Sequence, residues 1–324
     1  MIITRTPLRI SFCGGGSDMP DYYLRHDGCV ISTSINKYMY ITLARSFHQD
    51  VTQLKYSAVE RVKDLSQIQH PIFRETLKKY GVSGVEITST SEIPSGTGLG
   101  SSSAFTVGLI NGIRTLCGMS CTKALLAEEA CDMEINRLGE PVGKQDQYAA
   151  AFGGLNYIQF KRDGAVEVTP IQLAEDDLQF LSDRLMMFYL GGTRNASEIL
   201  KEYSVPTTKS AEKKTHMCEL VQRLYADLSQ GRIEALGRTL DDGWQIKRSL
   251  APDISNGFID DVYRRAMASG AVGGKLLGAG GNGFMLFYVD PADQNSVRQA
   301  LSDCRQMAFR FDHTGSSVVY NDEM

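Results

Sequence analysis

The 324-residue sequence predicts a mixed fold in which strands and helices are interleaved through two domains of ordinary size. Three observations carry that reading. Segments of strand period and of helical period alternate along the whole chain. Hydrophobic residues make up 42% and charged residues 22%, which allows a substantial core and excludes disorder. Three glycine-rich stretches fall beside strands and helix starts rather than in a linker or tail.

Residues 1–12 alternate as a strand (Ile2, Ile3, Leu8, Ile10, Phe12), with Pro7 marking an edge or bulge. The strand stops at Cys13-Gly14-Gly15-Gly16-Ser17-Asp18. Pro20 then opens a short helix, with Ser17 or Asp18 as cap. Residues 30–43, rich in β-branched and aromatic side chains, form one or two strands. Helices are expected at 71–80 and 122–138, stopped by Gly81 and Gly139. A hairpin turns at Arg162-Asp163-Gly164 between 155–160 and 166–170. The polar patch at 174–177 is the expected boundary, giving domains 1–177 and 178–324. The second half reads as a strand at 185–190, helices near 195–204, 211–229, 231–241 and 254–269, a strand at 284–289, a helix at 291–303 and closing strands within 307–320.

One stretch organises the rest: Pro94, Ser95, Gly96, Thr97, Gly98, Leu99, Gly100, Ser101, Ser102 and Ser103 lie between a β-prone run and an apolar helical run. Alternating glycines let the backbone take positive φ and approach a ligand closely. The serines stand where a helix's free N–H groups and dipole favour an anion. Such a loop suits phosphate. It is neither a Walker A loop, lacking a Lys-Ser or Lys-Thr pair, nor a dinucleotide fingerprint, since its spacing is Gly-x-Gly-x-Gly. An ordinary surface loop with a serine cap is the bland alternative.

The net charge of −4 argues against a general binder of nucleic acid or membrane surfaces. No apolar run reaches the roughly 18–20 residues that span a bilayer, and no signal segment opens the chain. Seven cysteines without framework spacing fit a reducing compartment, so the cytoplasm is expected. The scattered histidines exclude an obvious structural zinc site.

Two carboxylates stand out. Glu134 shares the inward face of its helix with Ala127, Ala130, Cys131 and Leu138, so it needs a cation or metal. Magnesium beside the phosphates would serve, with a loop serine as companion; a salt bridge to a core arginine is the alternative. Asp146 sits in a tight polar turn and could accept a hydroxyl proton during phosphoryl transfer, kept ionised by Arg9 or Lys144; a helix cap is the alternative. The third stretch, Gly278-Ala279-Gly280-Gly281-Asn282-Gly283, precedes a strand, which rules out a dinucleotide turn and points to one site built from both halves.

Together the three stretches resemble the motifs of the GHMP kinase superfamily: Pro7 to Asp18, Pro94 to Ser102, and Lys275 to Gly281, in order and over nearly the whole chain. The resemblance implies an ATP-dependent small-molecule kinase of α+β class. The expected fold has two domains: an N-terminal one with a left-handed β-α-β unit and a ferredoxin-like C-terminal one. Residue by residue it places the catalytic aspartate on Asp146, the cation beside the attacking hydroxyl on Arg9, and magnesium on Glu134 and Ser102. The nucleotide falls on residues Pro94 to Ser103 with Gly278, Ala279, Gly280 and Gly281. The sugar falls on Gly15, Gly16, Ser17 and Asp18.

Galactokinases carry Gly-Glu-His-x-Asp where this chain has Gly14 to Asp18, so the pair that grips galactose is absent. The triple glycine, the Ser-Asp pair and Tyr22-Tyr23 are similar to D-glycero-D-manno-heptose 7-phosphate kinases and to the kinase domain of bifunctional fucose enzymes. Tyr189 to Arg194 also resembles the heptose group, which implies a sugar phosphate whose phosphate meets Arg194 with Lys275. A homodimer is compatible with this reading. A fucose or hexosamine kinase, a decarboxylase of the superfamily and a non-catalytic sugar sensor are the rivals.

Overall fold

The computed structural model describes residues 1–192 and 208–322. Two long strands, β1 (Ile2–Cys13) and β2 (Gly28–Arg45), pair antiparallel along almost all of β1, with the one-turn helix α1 (Pro20–Tyr23) between them. The register slips after Pro7, as a residue without an N–H donor dictates. β3 (Thr52–Lys55), β4 (Val59–Val62), α2 (Pro71–Tyr80) and β5 (Val85–Ser91) follow. β3 and β5 are parallel neighbours, and the chain between them carries β4 and α2. Then come α3 (Ser101–Leu116), α4 (Lys123–Cys131), a π-helical turn Asp132–Arg137 and α5 (Gln145–Phe152). The expected hairpin is β6 (Leu155–Phe160) with β7 (Val166–Pro170), and α6 (Glu175–Arg184) closes the half.

The second half holds β8 (Leu185–Tyr189), α7 (Thr208–Ser229), α8 (Ala235–Arg248), α9 (Gly257–Ala268), β9 (Ala271–Leu276), β10 (Phe284–Val289), α10 (Gln294–Ala300) and β11 (Arg305–Met307). Its sheet runs β11-β8-β10-β9 with every pair antiparallel. With helices between its first and second and its third and fourth strands, this is the ferredoxin-like arrangement. The helix expected near 195–204 lies outside the described residues.

The chain ends by returning. β12 (Phe311–Asp312) pairs with β2, and β13 (Ser317–Asn321) pairs with β1. A single cut after residue 177 therefore separates these strands from the sheet they complete. The polar patch expected to be the boundary is the first turn of α6, where Glu175, Asp176 and Asp177 face the positive end of the helix dipole.

Helix α3 ties the fold to the site. Its residues from Ala104 to Leu116 are mostly buried against β1 and β2. Gly108 and Gly112, one turn apart, let it press onto that sheet: a Cβ on Gly108 would lie 2.8 Å from Thr6 Oγ1, and one on Gly112 2.4 Å from Leu43 Cδ1. The start of α3 is thereby fixed against the strand that carries Arg9.

Candidate active site

A cleft of about 450 Å³ lies between the two halves, within the size range of small-molecule sites. All three glycine-rich stretches contribute to it. From the central loop it takes Ser95, Gly96, Gly98, Gly100, Ser101, Ser102 and Ser103. Gly96, Gly98 and Gly100 have φ of +75°, +86° and +74°, a region closed to most side chains. Gly100 occupies the N-cap of α3 without a side-chain cap, so the helix's first N–H groups are not capped by its own N-cap residue.

The third stretch meets this loop back to back. A Cβ on Gly98 would come within 2.5 Å of the Leu277 carbonyl, and one on Gly278 within 2.3 Å of Gly98 Cα. Gly278 and Ala279 line the cleft, whereas Gly280 and Gly281 pack on Ile254, whose carbonyl accepts from the Gly281 N–H at 3.0 Å. Pro94, Thr97 and Leu99 hold the loop's shape instead of lining the cleft. Thr97 Oγ1 donates to the Pro94 carbonyl at 2.9 Å, and the Leu99 carbonyl accepts from Arg9 N at 3.0 Å.

Arg9 and Asp146 form the polar centre. The guanidinium donates from Nε and Nη2 to the two carboxylate oxygens, each at 2.7 Å, and from Nη1 to the Gly98 carbonyl at 2.7 Å. The bidentate fork fixes the carboxylate's plane and anchors it to the phosphate-type loop. Asp146 lies in the first turn of α5, not in the turn expected from the sequence. Lys144, the other cation considered for it, is engaged elsewhere: Nζ donates to the Gly164 carbonyl at 2.6 Å and lies over the Tyr23 ring.

The turn after β1 supplies Gly15, Gly16 and Asp18 to the cleft. Asp18 accepts from Gly16 N at 2.9 Å, Gln145 N at 3.2 Å and Gln145 Nε2 at 3.1 Å. Burial, and then the nearby charge of Asp146, push its carboxyl above the ordinary range. Ser17 faces away, with Oγ bonded to the carbonyls of Gly14 and Cys29, so it shapes the turn. Lys275 lines the cleft and donates to the carbonyls of Ser11 at 2.7 Å and Phe12 at 3.0 Å. Arg194 lies outside the described residues.

Glu134 sits on the π-helical turn, 3% exposed and at the cleft wall. No arginine or lysine pairs with it among the described residues. Its oxygens accept from Ser103 Oγ at 2.8 Å, Thr106 Oγ1 at 2.6 Å and Gln147 Nε2. Burial pushes its carboxyl up to about 6 despite these three donors. A buried carboxylate among hydroxyl groups, facing a cleft, is a hard-oxygen set that suits magnesium. Ser103 is the serine bonded to Glu134 here, while Ser102, the expected partner, is exposed on the same cleft. Among the described residues no three His, Cys, Asp or Glu side chains cluster as a metal site.

Sequence reasoning missed polar contributors here, among them Ser11, Glu140, Gln145 and Lys247 on the cleft wall and Thr106 and Gln147 on Glu134. Lys247 had a readable signal. It falls on the buried stripe of α8 with Leu240 and Trp244, as Glu134 falls on its own apolar face.

The model of GHMP kinases N terminal domain matches residues 67–154, and that of GHMP kinases C terminal matches 224–306. The chain belongs to the GHMP kinases. It is an ATP-dependent kinase of that family. It is 28% identical over 316 residues to D-glycero-alpha-D-manno-heptose 7-phosphate kinase of Campylobacter jejuni, covering 93% of each chain. Similarity to the L-fucokinase/L-fucose-1-P guanylyltransferase of Bacteroides fragilis is 24% and covers 92% of this chain but 36% of that longer protein. A crystal structure of a D-glycero-D-manno-heptose 1-phosphate kinase from Bacteroides thetaiotaomicron superposes with a TM-score of 0.80 at 24% identity, covering 99% and 100% of the two chains. The expected GHMP fold is therefore the fold of this chain. No helix among the described residues is long and apolar enough to cross a membrane.

Proposed function

We propose that this GHMP kinase is a sugar kinase that phosphorylates the anomeric hydroxyl of D-glycero-D-manno-heptose 7-phosphate, giving the 1,7-bisphosphate used for nucleotide-activated heptose and surface glycans. The observation that carries the reading is the turn Gly14 to Asp18, which sets Asp18 next to Asp146 in a cleft without the Glu-His pair of galactokinases. The end-to-end similarity to a heptose 7-phosphate kinase supports it.

In this mechanism the acceptor hydroxyl gives its proton to Asp146, and its oxygen attacks the terminal phosphorus of ATP in line, breaking that phosphorus's bond to the β,γ-bridging oxygen and releasing ADP. Arg9 holds Asp146 aimed, and places positive charge beside the moving phosphoryl group. The loop from Pro94 to Ser103 and the start of α3 cradle the triphosphate with backbone N–H groups. Glu134, with Ser102 or Ser103, would hold Mg²⁺, which neutralises phosphate charge when bound. Asp18 orients the sugar through its hydroxyls. Positioning and electrostatics supply most of the acceleration.

The test is a substrate panel with purified protein: heptose 7-phosphate, dephosphorylated heptose, fucose, galactose and a hexosamine. ATP consumption is followed by coupled assay and the product by ³¹P NMR. A 1,7-bisphosphate is expected. Preference for fucose, galactose or the hexosamine would replace the acceptor, and ATP consumption with none of them would favour a sugar sensor.

A further inference from the structure

Two buried lysines of the cleft have no counter-charge. Lys247 and Lys275 are 7% and 6% exposed. Lys247 Nζ donates to the Leu276 carbonyl at 2.9 Å and to the Gly278 carbonyl. Lys275 Nζ donates to the carbonyls of Ser11 and Phe12. An ammonium has three N–H donors, so these carbonyls leave one on each lysine. No carboxylate among the described residues forms an ion pair with either. The ionisable groups that act on them are Arg9 on both, Lys275 on Lys247, and the Cys13 thiol on Lys275. The charge of Arg9 is already matched by Asp146. Cys13 supplies no negative charge, because burial pushes its thiol up to about 12.

Burial depresses both ammoniums, Lys275 to about 8 and Lys247 well below its ordinary value, and an anion seated against them would restore their charge. Their carbonyl partners place them between the end of β1, just before Gly14 to Gly16, and the third glycine-rich stretch. We propose that Lys247 and Lys275 form a seat for a phosphate dianion, and that the phosphate is the one already carried by the acceptor. This rests on the sugar-phosphate reading above and adds Lys247, on α8, as a specificity-determining residue. The terminal phosphate of the nucleotide shares the same chemistry, and the experiment separates the two.

The kinetics of wild type, Lys247→Met and Lys275→Met are measured with heptose 7-phosphate, dephosphorylated heptose and varied ATP. Loss of one charge-assisted contact should lower the ratio of kcat/KM for the phosphorylated over the dephosphorylated heptose by roughly 10- to 100-fold. KM for ATP should stay within about threefold. Equal losses on both acceptors, or an effect carried by KM for ATP, overturn the assignment. If the variants do not fold, inorganic phosphate is titrated into wild-type assays. It should compete with heptose 7-phosphate and not with ATP; no inhibition, or competition with ATP, overturns the proposal. Failure of the acceptor reading itself looks different. Wild type would then not use heptose 7-phosphate, while calorimetry with inorganic phosphate, comparing wild type with the variants, still tests the seat.

Discussion

Replacing Asp146 by Asn separates the chemistry of the site from its architecture. The side chains are nearly isosteric, but the carboxamide presents an NH₂ group to a guanidinium that now donates to both oxygens at 2.7 Å. One of the two bonds is lost, and so is the charge. Losing the proton acceptor should lower kcat by roughly 10²- to 10⁴-fold, about 3–5 kcal/mol of barrier. Stability should also fall. Arg9 is buried and loses its counter-charge, and breaking a fully buried pair costs about 3–5 kcal/mol. Asp146 is 24% exposed, so water screens part of this, and about 1–3 kcal/mol remains. The melting temperature should drop by several degrees. Phosphates arriving at the loop give Arg9 a new anion, so nucleotide should raise the melting temperature of the variant more than that of wild type. The assays are coupled ADP release, calorimetric binding of ATP, and melting with and without a non-hydrolysable ATP analogue. A kcat within tenfold of wild type, or loss of ATP binding in step with turnover, would refute the assignment.

The remaining predictions test neighbouring parts. Glu134→Gln should raise the Mg²⁺ concentration for half-maximal activity at least tenfold without loss of fold, read by metal titration at fixed ATP. Gly98→Ala should weaken ATP binding and lower the melting temperature, since it adds a Cβ at φ +86° and 2.5 Å from the Leu277 carbonyl. Gly118→Ala is its control: φ is +67° but nothing lies within 4 Å, so it should show only the roughly 1–2 kcal/mol of left-handed strain. Lys275 supplies a pH test. Burial depresses its ammonium from 10.5 to about 8, so its stabilising contribution is present above the unfolded value and lost as pH falls through about 8. Wild-type stability, measured against Lys275→Met by denaturant titration, should therefore rise by about 3 kcal/mol between these limits. A pH-independent difference would remove that basis.

Much of this site was legible because it breaks local rules. Glycines at 96, 98 and 100 are costly anywhere the backbone does not need positive φ, and the structure uses all three so. Glu134 was visible because a carboxylate on an apolar stripe must be compensated, and it is, by Ser103, Thr106 and Gln147. Lys247 carried the same kind of signal on α8 but has no glycine turn beside it in sequence. Its relation to the cleft exists only after β9 folds back against that helix and presents the carbonyls of Leu276 and Gly278.

What stayed illegible was set by long-range pairing. β12 and β13 look like any closing strands, and nothing local tells that their partners are β2 and β1, more than 270 residues earlier in sequence. β3 and β4 are short and half polar, Thr52 to Lys55 and Val59 to Val62, so period alone does not announce them. The acids at 175–177 are ambiguous in isolation, since a solvated linker and a helix N-terminus favour the same charges. Even so, the return of β13 to β1 bears on the site. It covers the outer edge of the strand that carries Arg9, while β2 covers the other, so both edges of β1 are paired near its start. That brace from the far end of the chain covers Ile2 to Arg5; at Arg9 itself β2 holds one edge and the Leu99 carbonyl, accepting from Arg9 N at 3.0 Å, holds the other, so the glycine loop fixes the backbone where the guanidinium meets Asp146.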